Sequence, residues 1–393
     1  MGDLVLVINA GSSSLKFSLL ETDAGGEPVE LAGGQIEGIG VRPRFKAESA
    51  QGEPLVDQTY EAGGGHRAAT QRLINWLGEY LDGRAIAVVG HRVVHGGIRY
   101  AAPVLIDGEV MERLEEFVPL APLHQPHNLK AIEAMAIAHA GVPQVACFDT
   151  AFHQGQPFEA DTFALPKAEY ARGIRRYGFH GLSYEYIART LESLNPSLAD
   201  GRVVVAHLGN GASCCALEGG RSVDSTMGFT ALDGLPMGTR CGQIDPGVLL
   251  YLMDERGLST AELSDLLYKE SGLKGLSGIS SDMRDLETSD SPDAEKAIRY
   301  FVYRVRREVA ALAAALEGID GLVFTAGIGE HGKHVRAAVC GGLGWLGVRL
   351  DEAANAEHAA VISTAESAVE VRVIPTDEEK MIALHALRLI GAA

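Results

Sequence analysis

VLVINAGSSSLKFSLLE, residues Val5 to Glu21, sets one apolar strand against a second across the small, hydroxyl-rich loop Asn-Ala-Gly-Ser-Ser-Ser. A plain hairpin turns on two residues such as Asn-Gly or Asp-Gly. This loop is longer and carries many N–H and hydroxyl donors, which suits a phosphate approaching the backbone. Ordinary turns also use Ser and Gly, so its meaning depends on the rest of the chain. Residues Val203 to Thr226, VVVAHLGNGASCCALEGGRSVDST, repeat the plan: an apolar strand, a turn of Gly and small residues at Gly209 to Ser213, and a returning strand. Gly11 aligns with Gly209. The likeness is one of pattern more than of residue identity, and it points to an internal duplication with two Gly loops facing a nucleotide cleft. Unrelated turns that are both Gly-rich stay open as the alternative on pattern alone.

Outward from these two stretches, strands and helices alternate, which argues for an α/β architecture. Leu4 to Asn9, Leu15 to Glu21 and Val29 to Ile36 read as consecutive strands, followed by a helix from His66 to Leu81. IAVVGHRVVHGG reads as a buried strand running into a polar loop, His127 to Ala140 as a helix, and PQVACFDTAFH as another strand ending in polar groups. Pro, Asp and Gly content marks Leu191 to Arg202 as a loop. Ile298, Phe301, Val302, Val305, Val309, Leu312 and Leu316 fall on one face of a long amphipathic helix. A third Gly turn is expected to close the strand in GLVFTAGIGEHG, with a helix starting near His331.

Composition narrows the class. At 393 residues the chain can bury a large core divided between two domains. A net charge of -18 disfavours nucleic acid or an anionic membrane as partner, while leaving local basic pockets for a small anion. Five scattered cysteines (Cys147, Cys214, Cys215, Cys241, Cys340) form no CxxC pair and suit a reducing cytoplasm. No secretory signal is evident, and no apolar run reaches the roughly 18 residues of a membrane span. There is no HExxH and no GxxxxGK[ST], and GIGEHG is only superficially a dinucleotide motif.

Asn9, Arg92, His124, Asp149, His180, Asn210, Arg240 and Glu378 sit at strand ends or in Gly-rich loops, where α/β folds carry chemistry. Phosphoryl transfer calls for this set. Fixed Arg and His donors stabilise charge on the migrating phosphoryl. Asn and Glu supply hard oxygen ligands for Mg²⁺.

The stretches NAGSSSLKF, HRVVHGG, PLAPLHQPHN, CFDTAFH, RRYGFHG, HLGNGAS, MGTRCGQIDPG, GLSGISSDMRDL, FTAGIGE and PTDEE follow one another in the order of a single family. On them the chain resembles the acetate kinase, or acetokinase, family over almost its whole length. The resemblance implies an α/β fold of two duplicated actin-like ATPase (ribonuclease H-like) domains flanking a nucleotide cleft. The first would span residues 1–150, completed by a C-terminal helix at about 376–393. The second, residues 151–375, would carry the adenosine pocket and the dimer interface. It further implies a homodimer that moves the γ-phosphoryl of ATP to acetate, reversibly, giving acetyl phosphate and ADP with Mg²⁺, for which Mn²⁺ substitutes.

Roles follow from the matching positions. Asn9 and Glu378 match magnesium-associated residues, and Ser12, Ser14 and Lys16 match phosphate-side contacts. Arg92 and Arg240 match two arginines for the carboxylate and the phosphoryl, His180 a transition-state histidine, and Asp149 an essential carboxylate. His124, His207, Asn210 and Gly211 line the same cleft, and His207, Leu208, Gly209, Asn210 and Gly211 match nucleotide contacts. Asp282, Met283, Arg284, Gly327, Ile328, Gly329 and Glu330 match the adenosine pocket. Val94, Leu123 and Phe179, with Ala231, match the pocket for the substrate methyl.

Several readings stay open on the residues. Asp149 either orients Arg or His side chains or handles a proton; a carboxylate acceptor, with a pKa near 4.3, is ionised already and needs no base. His124, His207 and Lys16 read equally as packing or solvated residues. The chain also departs from the family pattern. Leu182-Ser183-Tyr184 follows His180 where Thr-Ser-His is usual, Gln243 replaces Asp, His331 replaces Asn, and Asp377 replaces Asn. Ala231 stands where Pro is common in the acyl pocket, which opens propionate or another short carboxylate as the substrate. A hydroxyl kinase fits poorly, since a neutral alcohol offers nothing to a second guanidinium. A non-catalytic actin-like ATPase would be favoured by a lost arginine or a large inserted domain, and neither appears.

Overall fold

The structure is a computed structural model that describes residues 2–11, 13–61, 63–122 and 124–392. Its chain forms two compact units, Met1–Phe152 with Asp377–Ala393, and His153–Thr376.

The first unit is built on strands β1 (Leu4–Ala10), β2 (Ser14–Thr22), β3 (Pro28–Glu37), β4 (Arg44–Ser49), β5 (Pro54–Thr59), β6 (Ile86–Val93), β7 (Val104–Leu105) and β8 (Gln144–Phe148). They form one sheet in the order β5-β4-β3-β2-β1-β6-β8-β7. β1 runs antiparallel to β2 and parallel to β6, and β6 runs parallel to β8. β1 is apolar from Leu4 to Ile8 because helices cover both faces of the sheet. Leu4, Leu6 and Ile8 pack with Leu73, Leu77 and Met135 from the helices Gly65–Leu81 and Gln125–Ala138. Successive strand residues point to opposite faces, so Val5 and Val7 look the other way, and the C-terminal helix Glu378–Ile390 packs on β1, β6 and β8. Gly90, paired with Val7, lets that helix approach: a Cβ there would lie 2.5 Å from Ile382 Cγ2.

The second unit contains β9 (Arg202–Leu208), β10 (Ala212–Glu218), β11 (Arg221–Ser225), β12 (Gly321–Thr325) and β13 (Glu370–Val373), in the order β11-β10-β9-β12-β13. β9 is antiparallel to β10 and parallel to β12, which is parallel to β13. This repeats β3-β2-β1-β6-β8 strand for strand and direction for direction. The turns fall at matching places between these strands but close differently. Gly11 N–H donates to Ser14 O at 2.8 Å, and Gly209 N–H donates to Gly211 O at 3.0 Å. The duplication expected from the two Gly loops is therefore present in the backbone. The helix Pro292–Ala315 packs on β9, β10 and β11 and buries Phe301, Val302, Val305, Val309 and Leu312, while Ile298 is half-buried and Leu316 caps the end.

Two strands are added and two local expectations need correction. β4 and β5 extend the first sheet in the stretch between β3 and the helix Gly65–Leu81, for which the sequence suggests no element. In FTAGIGEHG no turn follows β12: the helix Ala326–His331 begins at once, and a second helix, Lys333–Gly341, follows Gly332. Within Leu191 to Arg202 the helix Gly181–Leu194 runs on to Leu194, and Pro196–Ala199 forms a short helical turn because Asn195 accepts from Leu198 N. Among the described residues, no helix is long and apolar enough to cross a membrane.

Candidate active site

In the first unit the ends of β6 and β8 and the start of the C-terminal helix bring three predicted residues together. Arg92 donates from Nε to Asp149 Oδ1 at 2.8 Å and from Nη2 to Asp149 Oδ2 at 2.6 Å. Its Nη1 lies 3.6 Å from Glu378 Oε2. Asp149 therefore commits both oxygens to Arg92. Burial works against the Arg92 charge, but Asp149 and Glu378 outweigh it and hold the guanidinium protonated. Burial pushes the Asp149 carboxyl up from its ordinary value, against the pull of Arg92 and of His124. His124 stands at the start of the helix Gln125–Ala138.

That helix also carries two residues the sequence reading missed. Asn128 Nδ2 donates to Ala10 O at 2.7 Å and its Oδ1 accepts from Val94 N at 3.1 Å, pinning the ends of β1 and β6. Gln125 accepts from His95 N at 3.3 Å and donates to His95 O at 3.2 Å. Both are buried, so their amides fix the loop that follows Arg92. The family stretch PLAPLHQPHN contains both, but a polar side chain in a helix gives no sign in sequence that it is buried.

Asn9 lies on β1 and pairs across the sheet with Lys16, which is exposed. Ser14 supplies the carbonyl that closes the Gly11 turn. Ser12 and Leu123 lie outside the described residues. Val94 is half-buried just beyond β6.

In the second unit His180 sits at the start of the helix Gly181–Leu194 with φ 59°, a left-handed conformation that is costly for a non-glycine residue. Its ring stacks on His207 with centroids 4.1 Å apart and planes at 17°. His180 Nδ1 shares a hydrogen bond with Ser213 Oγ at 2.8 Å, and His207 Nδ1 shares one with Ser183 Oγ at 2.8 Å. Thr376 Oγ1 donates to Ser183 Oγ, also at 2.8 Å. Arg240 donates from Nη1 to Ala231 O at 2.6 Å. A Cβ on Gly211 would lie 3.1 Å from His180 Nε2 and 3.2 Å from Arg240 Nη2. Gly211 thus keeps open the space on which these two nitrogens converge. Phe179 is buried, and its carbonyl accepts from His153 Nε2 at 2.9 Å.

The same loop borders a cavity of about 400 Å³ lined by Gly209, Asn210, Asp282, Met283, Arg284, Gly327 and Ile328, seven of the residues read as nucleotide contacts. Asp282 and Arg284 pair through Nη2 and Oδ2 at 2.6 Å and form one polar edge. Ser281, Glu287, His331 and Gly332 complete the lining. Leu208, Gly329 and Glu330 are not part of it. Leu208 is core, while the carbonyls of Gly329 and Glu330 accept from the buried Arg336 at 2.9 and 2.7 Å.

A duplicated core of this strand order is that of actin-like ATPases and sugar kinases, and two cationic or N–H donors over a glycine loop beside a nucleotide-sized cavity are the equipment of a phosphotransferase. The acetokinase family model matches residues 4–384, and the chain belongs to that family. It is 56% identical over 390 residues to an acetate kinase of Nitrobacter hamburgensis, covering 99% of this chain and 96% of that protein. The crystal structure of Porphyromonas gingivalis acetate kinase is 39% identical with a TM-score of 0.89, covering 99% of this chain and 100% of that one. A propionate kinase from Francisella tularensis is 35% identical with a TM-score of 0.92, covering 98% and 100%.

Proposed function

We propose that this protein is a carboxylate kinase that transfers the γ-phosphoryl of ATP to acetate, reversibly, giving acetyl phosphate and ADP. The observation that carries this reading is the loop Gly209–Gly211, which borders the nucleotide-sized cavity and also leaves open the space where His180 Nε2 and Arg240 Nη2 converge. An anion extending from that cavity along the loop meets both donors. An acetate oxygen forms its bond to the γ-phosphorus as the bond to the β-phosphate oxygen breaks, and the electron pair leaves with ADP. The acceptor is ionised at neutral pH, so no base is required. Asp149, with both oxygens on Arg92, serves to aim that guanidinium, and Arg92 serves the same transfer.

The donor set of Asn9 and Glu378, one amide oxygen and one carboxylate, fits Mg²⁺, which keeps most of its water and takes few protein ligands. The 3.6 Å gap between Glu378 and Arg92 leaves the carboxylate able to turn to a cation. Among the described residues no cluster of three or more His, Cys, Asp or Glu is arranged for a metal, which suits an ion held chiefly by phosphates. Asn9 and Glu378 would hold it, and it would neutralise phosphate charge there.

Propionate is the second acceptor, favoured by Ala231 beside Arg240 and by the likeness to the Francisella protein. The protein works in the cytoplasm as a homodimer. In support, all five cysteines are free, and the apolar helix Pro246–Asp254 buries none of its residues, leaving Leu250 62% and Tyr251 59% exposed. Incubation with ATP, Mg²⁺ and acetate or propionate, with hydroxylamine trapping of the acyl phosphate, tests the activity, and sedimentation of the pure protein tests the dimer.

A further inference from the structure

The second unit contains a buried phenol that the proposed chemistry does not use. Tyr184 is fully buried, one turn into the helix that His180 begins. Its hydroxyl shares a short hydrogen bond with Ser213 Oγ, the atom that also contacts His180 Nδ1 at 2.8 Å. Tyr184, Ser213 and His180 therefore form a chain ending at the ring whose far nitrogen faces Gly211. Ser213 is itself buried, so its hydroxyl proton has few places to go.

We propose that Tyr184 is a positioning residue that fixes the tautomer of His180, acting through Ser213. A serine hydroxyl has one proton to give and two lone pairs to receive with. A phenol, with a pKa near 10, is a better donor than an aliphatic alcohol. Tyr184 therefore donates to Ser213 Oγ, and the single Ser213 proton is directed to His180 Nδ1. Nδ1 becomes an acceptor, and the neutral ring carries its proton on Nε2. That proton points into the space over Gly211, where Arg240 Nη2 already supplies a full positive charge. A neutral N–H beside a guanidinium adds a second donor without the repulsion between two cations. The stacked His207 bonds through Nδ1 to Ser183, which Thr376 supports, so the hydrogen bond from Ser213 reaches His180 while Tyr184 meets His207 ring edge to ring.

This inference rests on the carboxylate-kinase reading for its kinetic consequence but not for its structural one. The experiment compares the native protein with Tyr184→Phe, Ser213→Ala and the double variant, labelled with ¹⁵N-histidine and assigned with His180→Asn. In the native protein His180 should show an acceptor-type Nδ1 and a protonated Nε2 resonance. In Tyr184→Phe both should move toward an average of the two tautomers, with kcat lower by about tenfold and KM for acetate and ATP within about twofold, the cost of losing one neutral hydrogen bond. Ser213→Ala should do the same, and the double variant should add nothing, since both act through one path. An unchanged His180 pattern in Tyr184→Phe overturns the proposal, whether or not kcat falls. Additive losses in the double variant do so as well. Should the native protein form no acyl phosphate, the kinase reading fails, and the resonances still decide the role of Tyr184.

Discussion

Arg92 and Asp149 meet fork to fork, with two parallel N–H···O bonds of 2.8 and 2.6 Å in a setting where the carboxylate is almost wholly buried. A planar guanidinium gripped on one edge has its direction fixed, and the N–H groups of its other edge, the second on Nη2 and the pair on Nη1, remain for another anion. Glu378 stands 3.6 Å from that nitrogen, so the charge of Arg92 is shared between a structural partner and a residue able to turn elsewhere.

Removing the fixed donor should be severe. Arg92→Ala is expected to lower kcat by two orders of magnitude or more, in line with the roughly 3–4 kcal/mol carried by one oriented transition-state donor. Asp149→Asn keeps the volume but sets an amide NH₂ against the guanidinium, so Arg92 should lose its aim and kcat should fall by a similar order. Thermal melting establishes that both variants fold. Native turnover in Asp149→Asn would show that this pair does not position Arg92.

Gly211 offers a steric test that leaves every charge in place. A methyl there would sit 3.1 Å from His180 Nε2 and 3.2 Å from Arg240 Nη2, where the migrating phosphoryl is expected. Gly211→Ala should reduce kcat about a hundredfold, the scale of losing one oriented donor, while ADP affinity measured by calorimetry changes little. A variant with native kcat would move the reaction away from this loop.

Glu378→Ala should raise the Mg²⁺ concentration needed for half-maximal rate, and added Mg²⁺ or Mn²⁺ should restore part of the activity. The basis is the small number of protein ligands that Mg²⁺ takes, which makes each one count. Titration of rate against metal in both proteins reads the effect. Equal metal dependence would assign Glu378 to holding Arg92 instead.

The sequence made the architecture legible where chemistry and packing coincide. The pairs β1–β2 and β9–β10 are apolar on both faces with a Gly turn between them, so strand, turn and duplication are all written in one pattern. β4 and β5 escaped because both are short: RFKAES buries only Phe45 and Ala47 between charged residues, and PLVDQT, at the sheet edge, buries nothing. The helix start at Ala326 escaped because AGIG reads as a turn unless the cavity beside Gly327 is known. At the site the charged residues were visible, since Arg, Asp and Glu at strand ends have few other uses. Asn128, Gln125, Ser213 and Tyr184 were not, because they act by holding other groups and only coordinates show what a buried amide or hydroxyl holds.

His91 gives the first unit an acid-sensitive point. Burial pushes its imidazole down from 6.5 to about 4, with a partial opposing effect from the 2.6 Å contact to Gln144. A histidine whose folded pKa is depressed adds stability above the unfolded pKa and loses it as pH falls from 6.5 through 4. The amount is of order 3 kcal/mol at about 1.4 kcal/mol per pH unit. His91→Gln keeps a polar partner for Gln144 without a charge to bury. Denaturant unfolding at pH 7 and pH 4.5 should show a smaller drop in this variant than in the native protein. Equal drops would place the acid sensitivity elsewhere.

The proposed acyl pocket includes Ala231, which makes acyl length testable. Its carbonyl accepts from Arg240 Nη1 at 2.6 Å, and proline at this position would keep that carbonyl while adding ring carbons to the proposed acyl pocket. Arg240 would stay anchored, so Ala231→Pro should remain active on acetate. The space gained by alanine corresponds to about one methylene, worth roughly 0.8 kcal/mol when filled, or about fourfold in relative kcat/KM. Pockets of this kind discriminate weakly between adjacent homologues, so acetate should remain the better substrate in both proteins. The measurement is kcat/KM for acetate, propionate and butyrate in the native chain and in Ala231→Pro. The propionate-to-acetate ratio should fall about fourfold in the proline variant, with butyrate poor in both. A ratio that holds steady while acetate turnover is retained would take Ala231 out of the acyl pocket and leave its role as the anchor of Arg240.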